Sequence, residues 1–223
     1  MLTVAEEYLL LTAGAPDETA TAPVVDLPSD RLGIKFAMSG ATLMELAIRD
    51  RIETDVDELW VQDPSPTGET SVDPGLVKLL EHSKRNGGRS PIVDTIRELD
   101  VINSYQLALD SLQSRGVVSE RTERILLVFP IKSLVVTDIG VWRGVRKRIH
   151  DVLFAGEIPD PRDACLLSLL DATKKFRRVV KPERVQEAIE QTKRYSSLDL
   201  VGRNVAIHVT GMINSFSKYG DVI

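Results

Sequence analysis

The stretch from Asp30 to Ile52 constrains this chain more than any other, because apolar or small residues fall on every side of a helix drawn through it. Ile34, Phe36, Ala37, Met38, Gly40, Ala41, Leu43, Met44, Leu46, Ala47 and Ile48 cover the whole circumference at 3.6 residues per turn. A helix apolar all round must be surrounded by protein. Ser39, Gly40 and Ala41 let neighbouring backbones approach closely. Glu45 stands four residues before Arg49, so its carboxylate has a partner in reach. Lys35 and Glu45 interrupt the run too early for a membrane span, which needs about 20 mostly apolar residues. The expected fold class is all-α, a mainly helical compact bundle around this buried helix.

A chain of 223 residues with 43% hydrophobic content suits one globular domain, expected over residues 1–223. No segment has the order of a signal peptide, and the single Cys165 excludes an intramolecular disulfide, so a cytoplasmic protein is expected. The net charge of -5 is unevenly spread. Residues 1–70 hold 4 Lys/Arg against 14 Asp/Glu, whereas residues 143–184 hold 11 against 6. That asymmetry makes the second region a candidate for an anionic partner, the alternative being solvated helix faces of opposite sign.

Along the chain, Thr3 and Glu6 have capping-box spacing and open a short first helix from Leu2 to Thr12. Gly14 to Ser29 reads as a surface loop. Leu59-Trp60-Val61 and Glu69 to Val72 flank the Asp63–Gly68 Pro/Gly stretch, which predicts a β-hairpin that protrudes or pairs with another chain, the alternative being an ordinary loop; Trp60, Pro64, Pro66 and Gly68 are its candidate oligomerisation residues. Asp73-Pro74 and Ser90-Pro91 each predict an N-cap followed by Pro at the first helical position. A helix from about Val101 to Arg115 stops at Gly116. Arg124 to Phe129 and Lys132 to Val136 predict a second short hairpin around Pro130, and that order of elements brings a winged helix and DNA into consideration.

From Asp138 to Phe154, Trp142, Val145, Ile149, Val152 and Leu153 form an apolar stripe. Arg143, Arg146, Lys147 and His150 fall on the opposite side, with Arg148 nearby. Such a helix can lie against the phosphates of a membrane or simply show a basic face to solvent. A helix from about Pro161 to Thr173 looks buried, the Lys174 to Arg184 region forms a second basic cluster, and helices to Tyr195 and from Leu198 to Phe216 close the chain.

The three histidines show no metal-ligand spacing, Cys165 sits in an apolar helix, and no phosphate-binding or nucleophile-elbow motif occurs. The expectation is a protein that is not an enzyme, with neither cofactor nor metal.

Read together, Leu2-Thr3 through Glu6-Glu7 to Leu9-Leu10-Leu11, Gly40 with Leu43 to Arg49, Ser65-Pro66-Thr67-Gly68 and Arg115-Gly116-Val117-Val118 resemble the Golgi phosphoprotein 3 family over about residues 2–216. The resemblance implies a mostly helical domain with a buried central helix and a protruding hairpin. It displaces the winged-helix reading, so nucleic acid is not expected as a partner. It implies a peripheral membrane adaptor that binds phosphatidylinositol 4-phosphate and captures the cytosolic tails of Golgi glycosyltransferases. The family's headgroup pocket uses one Trp and three Arg, and the positions that match them here are Asp30, Ser39, Ile102 and Tyr105, all four changed. Fixed cationic donors are what give an anionic headgroup its affinity. Arg31 and Lys35 are the candidate replacements beside that pocket, and Arg143, Arg146 and Lys147 are candidates on the basic helix. The changed pocket also leaves room for a prokaryotic relative with another partner. Two readings follow: a peripheral adaptor on anionic phospholipid, including phosphoinositide, or a soluble scaffold that associates with protein partners or itself through its hairpin.

Overall fold

The computed structural model describes residues 1–14, 23–25, 31–125, 129–195, 205, 207 and 208, without the side chains of 31, 32, 122–125 and 129–132. Helix α1 (Val4–Thr12) opens with the expected capping box, in which Glu6 N donates to Thr3 Oγ1 (3.3 Å) and Thr3 N donates to Glu6 Oε2 (2.9 Å). α2 (Arg31–Ile48) is the predicted central helix, buried without a break from Phe36 to Leu46. It packs against α1, against α3 (Asp73–Arg85), α4 (Ile92–Asp100) and α5 (Ser104–Ser114), and against α7 (Pro161–Ala172). α6 (Ile139–Phe154) and α8 (Val185–Tyr195) close the far side, the first on α1 and α7, the second on α6 and α7. The fold is mainly helical, as expected. α1 and α7 are as enclosed as α2, with Val4 to Leu11 and Arg162 to Leu170 all buried.

Close packing decides one glycine. A Cβ added at Gly75 of α3 would lie 2.7 Å from Thr42 Cγ2 of α2, so only glycine lets the two helices meet at that height.

Two small antiparallel sheets complete the fold. The first has the order β2-β3-β4, formed by Ile52–Thr54, Glu58–Val61 and Arg89–Pro91. The predicted hairpin between Leu59–Val61 and Glu69–Val72 is therefore corrected: Leu59 pairs with Thr54 on one side and Ser90 on the other, so no edge of that strand remains. The turn is at Asp55 to Asp57 instead. Glu69 to Val72 winds into α3, with Val72 N and Asp73 N donating to Glu69 O. Pro64, Pro66 and Gly68 lie in an ordered loop, not a hairpin tip. Asp73, expected as the N-cap, is the first residue of α3, and its carboxylate holds that loop by accepting from Thr67 N (2.7 Å), Thr67 Oγ1 (2.6 Å) and Gly68 N (3.1 Å). Ser90 likewise belongs to β4, and Pro91 takes the cap position of α4.

The second sheet has the order β1-β6-β5, formed by Val24–Val25, Phe129–Val136 and Val118–Ile125. This hairpin is the predicted second one, but longer. Pro130 pairs with Arg124 inside the ladder instead of marking the turn. Val24–Val25 adds a strand where the sequence suggested only loop. The predicted closing helix from Leu198 to Phe216 lies outside the described residues except for Val205, Ile207 and His208, which are helical.

Candidate functional site

Helix α6 starts at Asp138, whose Oδ1 accepts from Val141 N (3.0 Å), and buries Trp142, Val145, Ile149, Val152 and Leu153 as their spacing requires. Arg143, Lys147 and His150 are exposed on its outer face. Arg146 is not with them: it is 3% exposed, which corrects its place among the headgroup candidates. One helical turn after Trp142, it borders the apolar stripe and lays its guanidinium 4.9 Å from the centre of the indole ring. Its Nη1 donates to Leu11 O (3.1 Å) and Arg178 O (3.0 Å), and its Nη2 to Val179 O (3.1 Å).

That clamp has a consequence on the surface. By holding the carbonyls of residues 178 and 179, Arg146 ties the second basic cluster to α6. Arg184 then lies 3.4 Å from the centre of the Phe154 ring, whose edge meets His150 at 4.9 Å. His150 of α6 is thus brought to Arg184 of the second basic cluster through Phe154, and Arg143, Lys147, Arg177 and Lys181 are exposed on the two segments so joined. Lys147 pairs with Asp151, and Arg184 forms a two-pronged pair with Glu187 (3.0 Å each). Arg143, Arg177 and Lys181 have no carboxylate partner among the described residues.

At the start of α2, Lys35 pairs with Asp100 of α4 (3.3 Å). Asp30 and the Arg31 side chain lie outside the described residues. Ser39 is fully buried, and its hydroxyl has no hydrogen-bond partner among the described residues. Ile102 and Tyr105 are half-buried beside the N-terminus of α5, which packs on α2. Trp60, half-buried in β3, carries the Arg89 guanidinium 4.1 Å from its ring centre, and Arg89 also reaches Asp55 (3.1 Å).

The largest concentration of charge is internal, and the sequence showed only its Glu45–Arg49 pair. Glu45 accepts from Arg49 Nε (2.7 Å), from both Nη atoms of Arg162 (2.6 and 3.0 Å) and from Val4 N (2.8 Å). Burial works against the ionised carboxyl, but the Arg162 and Arg49 hydrogen bonds outweigh it and hold Glu45 below the ordinary range. Arg115 joins Glu69 (2.6 Å) to the region of Glu6, whose Oε1 accepts from Ser71 Oγ (3.2 Å). Arg148 bridges Glu7 (2.5 Å) of α1 and Asp163 (2.6 Å) of α7. Burial, by taking both of those carboxyls out of water, pushes them up against the opposing pull of the Arg148 hydrogen bonds, while burial of Arg148 is outweighed by the same two acids, which hold it more firmly charged. No sequence spacing could reveal these pairs, whose members stand up to 141 residues apart.

The family profile described as Golgi phosphoprotein 3 (GPP34) matches residues 4–210. The chain belongs to the Golgi phosphoprotein 3 family. No curated protein matches it individually. Membership makes it a Golgi phosphoprotein 3-like protein and supports a non-catalytic, adaptor kind of role. No described helix of this Golgi phosphoprotein 3-like chain is long and apolar enough to cross a membrane.

Proposed function

We propose that this Golgi phosphoprotein 3-like protein is a peripheral adaptor that rests on the cytosolic side of a membrane, drawn there by anionic phospholipid. The observation that carries the reading is the contact between the two basic segments through the Arg146 clamp and through Arg184, Phe154 and His150. Each basic residue near an anionic leaflet contributes about 1 kcal/mol, so Arg143, Arg177 and Lys181 together suffice for weak, salt-sensitive attachment. Headgroup selection is a separate matter. Phosphatidylinositol 4-phosphate recognition beside α2 requires Lys35 to leave Asp100 and act with Arg31.

The test is co-sedimentation with neutral vesicles, phosphatidylglycerol vesicles and vesicles containing phosphatidylinositol 4-phosphate, at low and physiological salt. Attachment to both anionic vesicles, lost with salt and lost in an Arg143→Glu/Arg177→Glu/Lys181→Glu variant, supports the reading. Phosphoinositide selectivity lost in Lys35→Ala moves the contact to α2. No sedimentation with any vesicle rejects it.

A second reading, self-association, is favoured by one feature: β5 is an eight-residue strand with a partner strand on one side only among the described residues. Replacing residues 121–132 by a short Gly/Ser turn reduces the solution mass if that edge pairs copies. An unchanged mass removes the hairpin from that role, and a Trp60→Ala variant serves as the control.

A further inference from the structure

Two carboxylates from different helices converge on one guanidinium beneath α6. Glu7 and Asp163 are each 3% exposed, whereas the Arg148 side chain between them is 36% exposed. The charged groups around them come from every element packed there. α1 brings Glu6 and Glu7, α2 brings Glu45 and is followed by Arg49, α5 is followed by Arg115, and α7 brings Arg162 and Asp163 behind its cap Asp160. Glu69 precedes α3, and on the outer side of α6 stand Lys147 and Asp151. Setting aside the exposed Asp160 and the outer Lys147–Asp151 pair, Glu6, Glu7, Glu45, Glu69 and Asp163 face Arg49, Arg115, Arg148 and Arg162. The anions outnumber the cations by one. Arg49, Arg115 and Arg162 are committed to Glu45, Glu69 and Glu6, so the excess negative charge falls on the pair that shares Arg148.

We propose that Glu7, Asp163 and Arg148 form a proton-operated latch that regulates the membrane attachment argued above, on which this inference rests. With both carboxylates ionised, Arg148 is held inward across the α1–α7 seam. Protonation of the pair turns each carboxylate into a weaker, neutral acceptor and removes the reason for Arg148 to stay. This side chain, already one-third exposed and next to Lys147 in sequence, then turns outward and adds a cation to the outer face of α6. Burial favours the protonated forms of both acids, so the latch opens at less acidic pH than ordinary carboxylates would allow. Because the two acids share one guanidinium, their protons come off in two macroscopic steps that belong to the pair, and the first proton taken up already weakens the hold on Arg148.

Two measurements test it with the full chain. The first is a 13C carboxyl titration by NMR, which needs no lipid: the Glu7 and Asp163 signals are each expected to report both steps of the coupled pair, the upper one above the ordinary carboxylate range, and independent single-step titrations at ordinary values overturn the latch. The second is co-sedimentation with phosphatidylglycerol vesicles from about pH 7.5 to about 5, in a His150→Asn background that removes the exposed imidazole. The His150→Asn protein is expected to gain about fivefold in affinity on acidification, the effect of one added cation near the leaflet. Glu7→Gln/Asp163→Asn in that background is expected to bind at the acid level throughout, and Arg148→Gln to show no step. Equal, parallel profiles in all three overturn the latch while leaving the membrane reading intact. Absence of binding at every pH, with the coupled titration present, rejects the membrane reading and the latch's regulatory role, leaving the proton-sharing seam alone.

Discussion

Arg162 and Glu45, 117 residues apart in sequence, meet in a two-pronged pair with Nη1–Oε2 at 2.6 Å and Nη2–Oε1 at 3.0 Å, and the carboxylate is fully buried. The same guanidinium donates to Leu2 O (3.0 Å), and the same carboxylate accepts from Val4 N (2.8 Å), so the pair fixes the start of α1 between α2 and α7.

Removing Arg162 leaves the buried Glu45 carboxylate with only Arg49 and Val4 N, a loss that approaches the roughly 3–5 kcal/mol of breaking a buried pair. Arg162→Met is therefore expected to lower the denaturant midpoint sharply. Glu45→Met/Arg162→Met is expected to recover most of the loss, since buried pairs replaced by apolar residues are often neutral. Urea denaturation of the single and double variants checks this, and a double variant no better than the single one contradicts it.

The buried acids give opposite pH signatures. The folded-state pKa of Glu45 is depressed, so its contribution to stability is present above the unfolded value of about 4.3 and is lost as pH falls through the folded one. Those of Glu7 and Asp163 are raised, so their contribution is present below the unfolded values and is lost as pH rises through the folded ones. Between about pH 3 and about pH 7, Glu7→Gln should become more favourable relative to wild type as pH rises above about 4.3, whereas Glu45→Gln should become less favourable only as pH rises towards about 4.3 and stay level above it. Denaturation midpoints measured across that range decide it, and parallel curves for the two variants would falsify the assignment.

At Gly75 the expected effect is steric. Thr42 is β-branched and its hydroxyl donates to Met38 O (3.1 Å), so it has little freedom to move away from a new methyl group. The gain of about 1 kcal/mol from placing alanine in a helix is outweighed by overpacking of about 1–3 kcal/mol. Gly75→Ala should lower the melting temperature, while Gly75→Ala/Thr42→Ala should regain part of it.

Local rules made much of this fold legible. The Thr3–Glu6 capping box, the all-round apolar α2, the inward stripe of α6 and the Gly116 stop follow from spacing and backbone preference within a few residues. Long-range choices were not local. The hairpin reading failed because Leu59 to Val61 finds β4 some 30 residues later, and the Pro/Gly stretch is shaped by the carboxylates of Asp63 and Asp73. Helix periodicity itself puts Arg146 one turn after Trp142, beside the apolar stripe, so its assignment to the opposite face goes against the spacing. Only the carbonyls of Leu11, Arg178 and Val179, brought there by other segments, settle that it turns inward.

Arg146 and Arg143 should consequently respond to the same substitution in different ways. Arg143→Glu changes an exposed side chain, so stability is expected to stay within about 0.5 kcal/mol while attachment to anionic vesicles weakens. Arg146→Glu places a buried carboxylate against three carbonyl oxygens and removes the cation over Trp142, which is expected to lower stability by several kcal/mol and to release the 178–184 segment from α6. Arg146→Lys keeps the charge but loses the planar fork that reaches separate carbonyls, so an intermediate loss is expected. Thermal denaturation together with amide exchange at Val179 and Val180 separates the cases: protection there should persist in Arg143→Glu and fall in Arg146→Lys. If both Glu variants unfold alike, the division of α6 into a clamp and an outer basic face is wrong.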